Sequence, residues 1–255
     1  MKPNLFFCIN MQRAGNTLLG SILNQNPDIT FTANSPLTEI IHQLHLIKND
    51  FEIVQNFPHH KSINNLIGKS FYSYAESFET KYVIDRSNWG TDGNLKYLDN
   101  YFDSEQKFLI LYRKPIECLA SLCKAYKWDK QKSKENADYF MSINGQIGGA
   151  IWQIENILKS NKKYLVITYE QIVNNAKQAV DNIYNFFNLK KYNHKFTNLK
   201  QFEIQGIKYD DSIIGDVDFH TIRTNKIEKN SYDLESVLPK DIIDKYKNYG
   251  VNFES

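Results

Sequence analysis

The chain has 255 residues, of which 42% are hydrophobic and 24% charged, and these proportions exclude a disordered or fibrous protein. Its 31 Lys and Arg residues nearly balance 29 Asp and Glu residues, which argues against a dedicated nucleic-acid-binding protein. The length predicts a single domain over residues 1–255. Three cysteines without C-x-x-C spacing, no leader-like N-terminal segment and no long apolar run favour a cytoplasmic protein without a membrane span.

Short apolar runs alternate with helical patterns along the chain. Because these runs lack polar alternation, we expect strands that are buried on both faces of a parallel sheet, and therefore an α/β fold. After residue 189 the pattern weakens into loops and short elements. Strands are predicted at residues 5–9, 82–84, 108–112 and 164–168, and helices at residues 17–23, 36–54, 63–78, 115–126, 138–158, 176–187 and 239–249.

The first predicted strand leads through a short loop into a helix that begins near Asn16. The amides and the dipole at a helix start favour an anion, and Arg13 and Thr17 add a positive charge and a hydroxyl donor. The segment lacks the G-x-x-x-x-G-K-[ST] motif, since Asn10 and Asn16 occupy the positions of the first Gly and the Lys. We therefore predict a phosphate-binding loop that does not grip a triphosphate with Mg²⁺, the alternative being an ordinary turn with a structural Arg.

A second candidate anion site follows the predicted strand at residues 108–112. Arg113 stands at the carboxyl end of this strand, where open α/β sheets bind ligands. Pro115 opens the next helix, in which Ser121 lies eight residues after Arg113 and Lys124 one turn further on. An Arg and a Ser so placed can hold one phosphate from two sides, although either residue alone is more often structural.

Together these segments resemble the PAPS-dependent sulfotransferase family, PAPS being 3′-phosphoadenosine-5′-phosphosulfate. Residues 10–19 resemble the family's 5′-phosphosulfate loop, G-x-P-R-S-G-[ST]-T-L-L, and Arg113 and Ser121 match the spacing of its 3′-phosphate motif. Other similarities are residues 164–172, which look like the family's strand ending in Tyr-Glu, residues 186–189, which look like its Phe-Leu-Gly-Leu, and residues 25–27, 32–37, 83–87 and 220–223, which look like a bacterial-type branch.

The resemblance implies a three-layer α/β sandwich with a central parallel β-sheet, of the P-loop nucleoside triphosphate hydrolase-like type. It also implies transfer of a sulfuryl group from PAPS, as co-substrate, to a hydroxyl or an amine, with release of adenosine 3′,5′-bisphosphate and no metal. A carbohydrate, a lipid, a peptide and a small metabolite are all open as acceptors. The near-neutral charge argues mildly against a strongly polyanionic acceptor.

By the same resemblance, Arg13, Arg86 and His220 are expected to be catalytic. Arg86 takes the place of a family Lys that reaches the sulfuryl oxygens, and His220 is the candidate general base. Asp85, Asp210 and Asp211 are further candidates for the base, while Asp85 is alternatively a partner that orients Arg86, and Asn34 lies near where some members place a Glu. The residues expected to bind PAPS are Arg13, Ala14, Gly15, Asn16, Thr17, Arg113, Ser121, Tyr169 and Arg223.

Four residues of the loop depart from the family pattern: Asn10, Gln12, Ala14 and Asn16 replace Gly, Pro, Ser and Thr. We expect binding to survive these changes in weakened form. Two alternatives are a P-loop kinase or hydrolase, in which residues 82–85 would supply a Mg²⁺-binding Asp, and a PAPS-binding module without catalysis. The helical segments at residues 36–78 and 138–158 are expected to form the acceptor side.

Overall fold

The computed structural model describes residues 3–215, 220–222, 225–229 and 233–253. Within these ranges five strands form one sheet in the order β2-β3-β1-β4-β5, and every neighbouring pair is parallel. The predicted α/β fold with a central parallel sheet flanked by helices is confirmed. The strands are β1 (Asn4–Asn10), β2 (Ile29–Phe31), β3 (Tyr82–Arg86), β4 (Lys107–Tyr112) and β5 (Lys163–Thr168).

Helices cover both faces of the sheet, as two neighbouring residues of β1 make clear. Phe6 stacks on the helical Phe187 at 4.2 Å between ring centroids, whereas Phe7 packs edge-on against Trp89 at 4.7 Å. Trp89 in turn packs against Phe71, which belongs to a helix, at 6.0 Å. Because successive side chains of a strand point to opposite faces, the contacts of Phe6 and Phe7 belong to opposite layers. The helices are α1 (Asn16–Leu23), α2 (Leu37–Asp50), α3 (Glu52–Gln55), α4 (His60–Glu76), α5 (Asp92–Tyr101), α6 (Pro115–Ala125), α7 (Lys130–Met141), α8 (Gln146–Lys159), α9 (Tyr169–Asn174), α10 (Ala176–Phe187), α11 (Leu234–Val237) and α12 (Lys240–Tyr246).

Two predicted helices are wrong as single elements. The helix expected at residues 138–158 is divided between α7 and α8, with a tight turn at residues 142–145. The turn needs glycine, since a Cβ on Gly145 would lie 1.9 Å from the carbonyl oxygen of Tyr139. The helix expected at residues 36–54 ends at Asp50, because Phe51 is extended with ψ of 116°. The sequence pattern did not predict β2, because three residues carry too little pattern, and it did not predict α5 or α9.

The parallel arrangement brings all five carboxyl ends of the strands to one edge of the sheet. The segments that leave this edge are residues 11–15 after β1, 32–36 after β2, 87–91 after β3, 113–114 after β4 and α9 after β5. Most of the predicted site residues therefore meet there. In the described part of the chain, none of the helices is both long and apolar enough to cross a membrane.

Candidate active site

The loop between β1 and α1 is held in an unusual backbone conformation. Arg13 has φ of 65° and Gly15 has φ of 89°, both in the left-handed region. For a residue with a side chain this region costs about 1–2 kcal/mol, so the strain at Arg13 requires support from its surroundings. Gly15 avoids the cost, and it also leaves room for the Tyr169 ring, which would lie 3.3 Å from a Cβ.

The substitutions that depart from the family pattern take part in closing this loop. The carbonyl oxygen of Met11 accepts hydrogen bonds from the Asn10 Nδ2, at 3.2 Å, and from the Asn16 Nδ2, at 3.2 Å. The backbone N–H of Ala14 donates to the same oxygen at 3.3 Å. Three donors on one carbonyl give the loop a local restraint that does not depend on proline at position 12.

Arg13 links the two predicted phosphate-binding segments. Its Nε donates to the Ser121 Oγ at 3.1 Å, and its carbonyl oxygen accepts from the Arg113 Nη1 at 3.1 Å. Arg113 also pairs with Glu117 at 3.1 Å, and its guanidinium lies over the Tyr169 ring at 4.0 Å from the centroid. Arg113 and Ser121 are each only 2% exposed. The fold thus joins into one cluster residues that the sequence assigned to separate motifs.

Arg86 lies at the end of β3 and bridges two neighbouring loops. Its Nε donates to the Asn10 Oδ1, and its Nη1 donates to the carbonyl oxygen of Ala33 and, at 3.4 Å, to the Asn34 Oδ1. Its backbone N–H donates to the Thr32 Oγ1 at 2.8 Å. Asn10, a departure from the family's glycine, therefore gains a function that glycine cannot perform, since it positions the guanidinium.

Asp85 is not the partner of Arg86 that the sequence suggested. It is fully buried and accepts from the Trp89 Nε1 at 2.9 Å, while its Oδ2 has no hydrogen-bond partner among the described residues. Adjacent residues of a strand face opposite sides of the sheet, which separates Asp85 from the side chain of Arg86. Burial raises the pKa of the Asp85 carboxyl to about 6.

His220 forms a carboxylate–histidine pair with Asp211. The Nδ1 of His220 lies 2.5 Å from the Asp211 Oδ1, and the backbone N–H of His220 donates to the Asp211 Oδ2 at 2.9 Å. Because an ionised carboxylate only accepts, a hydrogen bond between the two requires the proton on Nδ1, and in the neutral imidazole Nε2 is then the acceptor. The ring also stacks on Tyr209 at 4.3 Å between centroids. Tyr209 in turn donates to the carbonyl oxygen of Asn34, which connects the pair to the loop after β2.

A cavity of about 580 Å³ lies at the carboxyl edge of the sheet. Its lining includes six of the predicted residues, namely Arg13, Gly15, Asn16, Thr17, Arg86 and His220. Four other predicted residues are buried and do not line the cavity, namely Ala14, Arg113, Ser121 and Tyr169. Arg223 lies outside the described residues.

The lining of the cavity also includes amide side chains that the sequence did not single out as a group. Of the two segments expected to face the acceptor, the helices at residues 36–78 do not contribute to the lining, whereas the turn before α8 and its first half do. We call this surface the amide wall; it consists of Asn34, Asn88, Asn144, Gln146 and Gln153. These residues are far apart in the chain and follow no shared motif, so no sequence pattern connects them.

Comparison with known proteins decides the family. Residues 3–193 match the sequence model described as "Sulfotransferase family". The chain belongs to the sulfotransferase family. This match covers both strand-end segments, from the loop after β1 to Arg113 and Ser121.

Solved structures similar to this sulfotransferase include the sulfotransferase domain from the Synechococcus PCC 7002 olefin synthase. It has a TM-score of 0.53 and 16% identity, and the alignment covers 98% of this chain and 97% of that domain. The sulfotransferase domain from the curacin biosynthetic pathway gives a TM-score of 0.48 at 16% identity, with coverage of 98% and 93%. At this identity the first similarity supports the fold. No curated protein matches the sequence.

Proposed function

We propose that this sulfotransferase transfers a sulfuryl group from PAPS to a hydroxyl or an amine of its acceptor and releases adenosine 3′,5′-bisphosphate. The observation that carries the proposal is the double contact of Arg13, which bonds Ser121 through its side chain and Arg113 through its carbonyl oxygen. A nucleotide with phosphates on both the 5′ and the 3′ oxygen requires positive charge at two neighbouring places. Arg13 and Arg113 supply such a pair of charges.

The residues at the carboxyl edge fit this co-substrate in charge and in hydrogen-bonding capacity. Gly15 is the N-cap of α1 and lines the cavity together with Asn16 and Thr17, so the dipole of the helix favours an anion at this place. Arg13 and Arg86 both line the cavity beside this helix. Arg113 and Ser121, next to the loop, are the candidates for the 3′-phosphate, with Tyr169 beneath the guanidinium.

In the proposed reaction the acceptor oxygen or nitrogen forms a bond to sulfur while the bond from sulfur to the phosphate oxygen breaks. His220 takes the acceptor proton on Nε2, and Asp211 holds the imidazole in the required tautomer. Arg86 stabilises the charge that develops on the sulfuryl oxygens, and Arg13 stabilises the departing phosphate. Catalysis then depends mainly on positioning and on fixed positive charge, as in phosphoryl transfer.

Two observations weigh against a P-loop kinase or hydrolase. Asp85, the residue that would hold Mg²⁺, is buried against Trp89 and does not line the cavity. Asn16, at the position of the phosphate-binding Lys, donates instead to Met11. Against a module without catalysis, the cavity retains Arg86 together with the paired His220.

The test compares two nucleotides that differ only in the 3′-phosphate. Calorimetry is expected to show that Arg113→Ala weakens adenosine 3′,5′-bisphosphate by about tenfold or more, because a hydrogen bond to a charged group contributes about 1.5–3 kcal/mol. Adenosine 5′-phosphate is expected to lose much less. Lys114→Ala, which removes the neighbouring exposed charge, serves as the matched control.

Arg113 is buried, so each variant is checked for its melting temperature, and Ser121→Ala provides a milder change at the same site. Equal losses for both nucleotides would remove the 3′-phosphate assignment. Binding of ATP with Mg²⁺, without any binding of adenosine 3′,5′-bisphosphate, would instead support a P-loop kinase or hydrolase.

A further inference from the structure

The chemistry of the amide wall identifies a class of acceptor. Each of its five residues presents a neutral carboxamide, which offers both N–H donors and a carbonyl acceptor. A hydroxyl group likewise donates and accepts, so several amides around one space suit a molecule that carries several hydroxyls. Four of the five are exposed to solvent at the cavity, and Gln153 is partly buried.

Other classes of acceptor find less support in the lining. Among the described residues that line the cavity, Glu228 supplies the one carboxylate, which is little for a cationic amine acceptor. The large apolar side chains, Leu18, Tyr126 and Ile222, are few in this same set, whereas sites for phenols, steroids or acyl chains are lined mainly by apolar groups. Among the described lining residues, Arg13 and Arg86 are assigned above to PAPS, and the remaining charged side chains, Lys226 and Glu228, are one of each sign. The lining thus favours a neutral and polar acceptor.

Gln153 is the member of the amide wall whose backbone is held most closely by its surroundings. Its backbone approaches the turn after β3 so closely that a Cβ on Gly90 would lie 2.5 Å from the Gln153 carbonyl oxygen. The Oε1 of Gln153 is buried and has no hydrogen-bond partner among the described residues, and the same holds for the Oε1 of Gln12, which also lines the cavity. A buried acceptor without a donor is costly, and because Gln153 lines the cavity, a hydroxyl of a molecule bound there can supply the missing donor.

We propose that the acceptor of this sulfotransferase is a neutral, polyhydroxylated molecule with the chemistry of a sugar glycoside. One hydroxyl faces Arg86 and His220 and receives the sulfuryl group, while the amide wall, chiefly Gln153, binds the remaining hydroxyls. This inference rests on the proposed transfer from PAPS, and it adds the acceptor class that the family does not specify.

The experiment supplies [³⁵S]PAPS to the full chain with three groups of acceptors: methyl glucoside, lactose and cellobiose; a 3-hydroxyacyl thioester; and 4-nitrophenol. Transfer to at least one glycoside is expected to exceed transfer to the other groups by about tenfold or more, the discrimination that a site built for hydroxyls gives. Saturation-transfer NMR on the protein loaded with adenosine 3′,5′-bisphosphate measures glycoside binding independently of turnover.

Gln153→Leu tests the wall itself. It is expected to raise the KM for the glycoside about tenfold, while the affinity for adenosine 3′,5′-bisphosphate is unchanged. Gln178→Leu, an exposed change on α10 outside the cavity lining, is the control, and Asn88→Ala is the second variant if Gln153→Leu fails to fold.

Three results would overturn the inference: transfer to the thioester or to 4-nitrophenol with none to glycosides, no glycoside binding or transfer by nucleotide-loaded protein, or an unchanged KM in both wall variants. In each of these cases the nucleotide still binds and the proposed PAPS chemistry stands. Failure of adenosine 3′,5′-bisphosphate to bind would instead contradict the proposed function, and with it the inference that depends on it.

Discussion

The two sides of the cavity are built in different ways. On the side that we propose for the nucleotide, the residues come from the loop after β1, the end of β4 and α6, and they bond to one another, as Arg13 does with Ser121 and Arg113. On the acceptor side, the amide wall draws on a loop after β2, a turn after β3 and the start of α8, and its residues are mostly exposed. This difference fits the proposed function, because residues bonded to one another suit a shared co-substrate and a solvent-exposed surface allows the acceptor to vary while the fold is retained.

Arg86 lies where the two sides meet, so we expect its replacement to have the largest effect. Arg86→Ala should lower turnover by about 10²–10³-fold, as removal of one preorganised donor to developing charge does. The affinity for adenosine 3′,5′-bisphosphate should change little, because that nucleotide lacks the sulfuryl group. Turnover is measured as release of adenosine 3′,5′-bisphosphate from PAPS in the presence of the three groups of acceptors described above. Calorimetry measures the affinity for this nucleotide.

Arg86→Lys is the conservative control, since it retains a positive charge at the place where the family has Lys, and it should recover part of the turnover. An equal loss of affinity and turnover in Arg86→Ala would assign Arg86 to nucleotide binding and remove it from the boundary between the two sides.

His220 and Asp211 provide a test of the acceptor side alone. His220→Ala is expected to lower turnover by about 10²-fold, the usual contribution of a general base, and Asp211→Ala by less, because the imidazole is retained. The nucleotide affinity should be unchanged in both. His60→Ala, an exposed histidine at the start of α4, controls for loss of an imidazole elsewhere. Full activity in His220→Ala would exclude the pair from proton transfer.

Gly15 tests the rigidity of the nucleotide side. Gly15→Ala should cost about 1–2 kcal/mol for the left-handed backbone, and it should also weaken nucleotide affinity severalfold because the new Cβ presses on Tyr169. Gly206→Ala is the matched control, since Gly206 has φ of 80° but no atom within 4 Å of the added Cβ. Urea unfolding should show comparable losses for both, and calorimetry a loss of affinity for Gly15→Ala alone. If Gly15→Ala bound the nucleotide with the same affinity as the wild type, the loop would tolerate the displacement caused by the added Cβ.

Asp85 has the smallest expected effect on activity, and its effect on stability depends on pH. Burial raises its pKa to about 6 in the folded protein, so the folded state binds a proton more tightly than the unfolded state. The free energy of unfolding therefore falls as pH rises from about 4 to about 6. Asp85→Asn keeps an acceptor for Trp89 and should be more stable than the wild type by about 1–3 kcal/mol at pH 7.5.

This gain should shrink as pH falls below 6, which urea unfolding at pH 7.5 and pH 4.5 measures. Asp138→Asn is the control, because its expected effect on the free energy of unfolding has the opposite sign. Hydrogen bonding to Lys245 lowers the pKa of the exposed Asp138, so its replacement should slightly reduce stability at neutral pH. A gain in stability for Asp85→Asn that is the same at pH 7.5 and pH 4.5 would contradict the raised pKa of Asp85.

The same contrast between the two sides describes how far the sequence could predict the site. The loop after β1 and the strand before Arg113 were predictable, because a strand followed by a helix start or an Arg is a local pattern that sets both structure and chemistry. The division of the helix predicted at residues 138–158 was not, because helical periodicity continued across the turn that Gly145 permits. Asp85 was a candidate base and alternatively a partner of Arg86, because sequence adjacency conceals that neighbours in a strand face opposite sides.

By itself, the sequence determined the α/β class and the candidate residues for an anionic co-substrate, since these depend on apolar strands and on the few residues that follow them. Only the tertiary structure decided that Arg13 meets Ser121, that Asp211 pairs with His220, and that five amides face one cavity. The physical reason is that these contacts are made between segments brought together by packing of the sheet and its helices, and side chains that meet only through packing leave no spacing in the chain to reveal them.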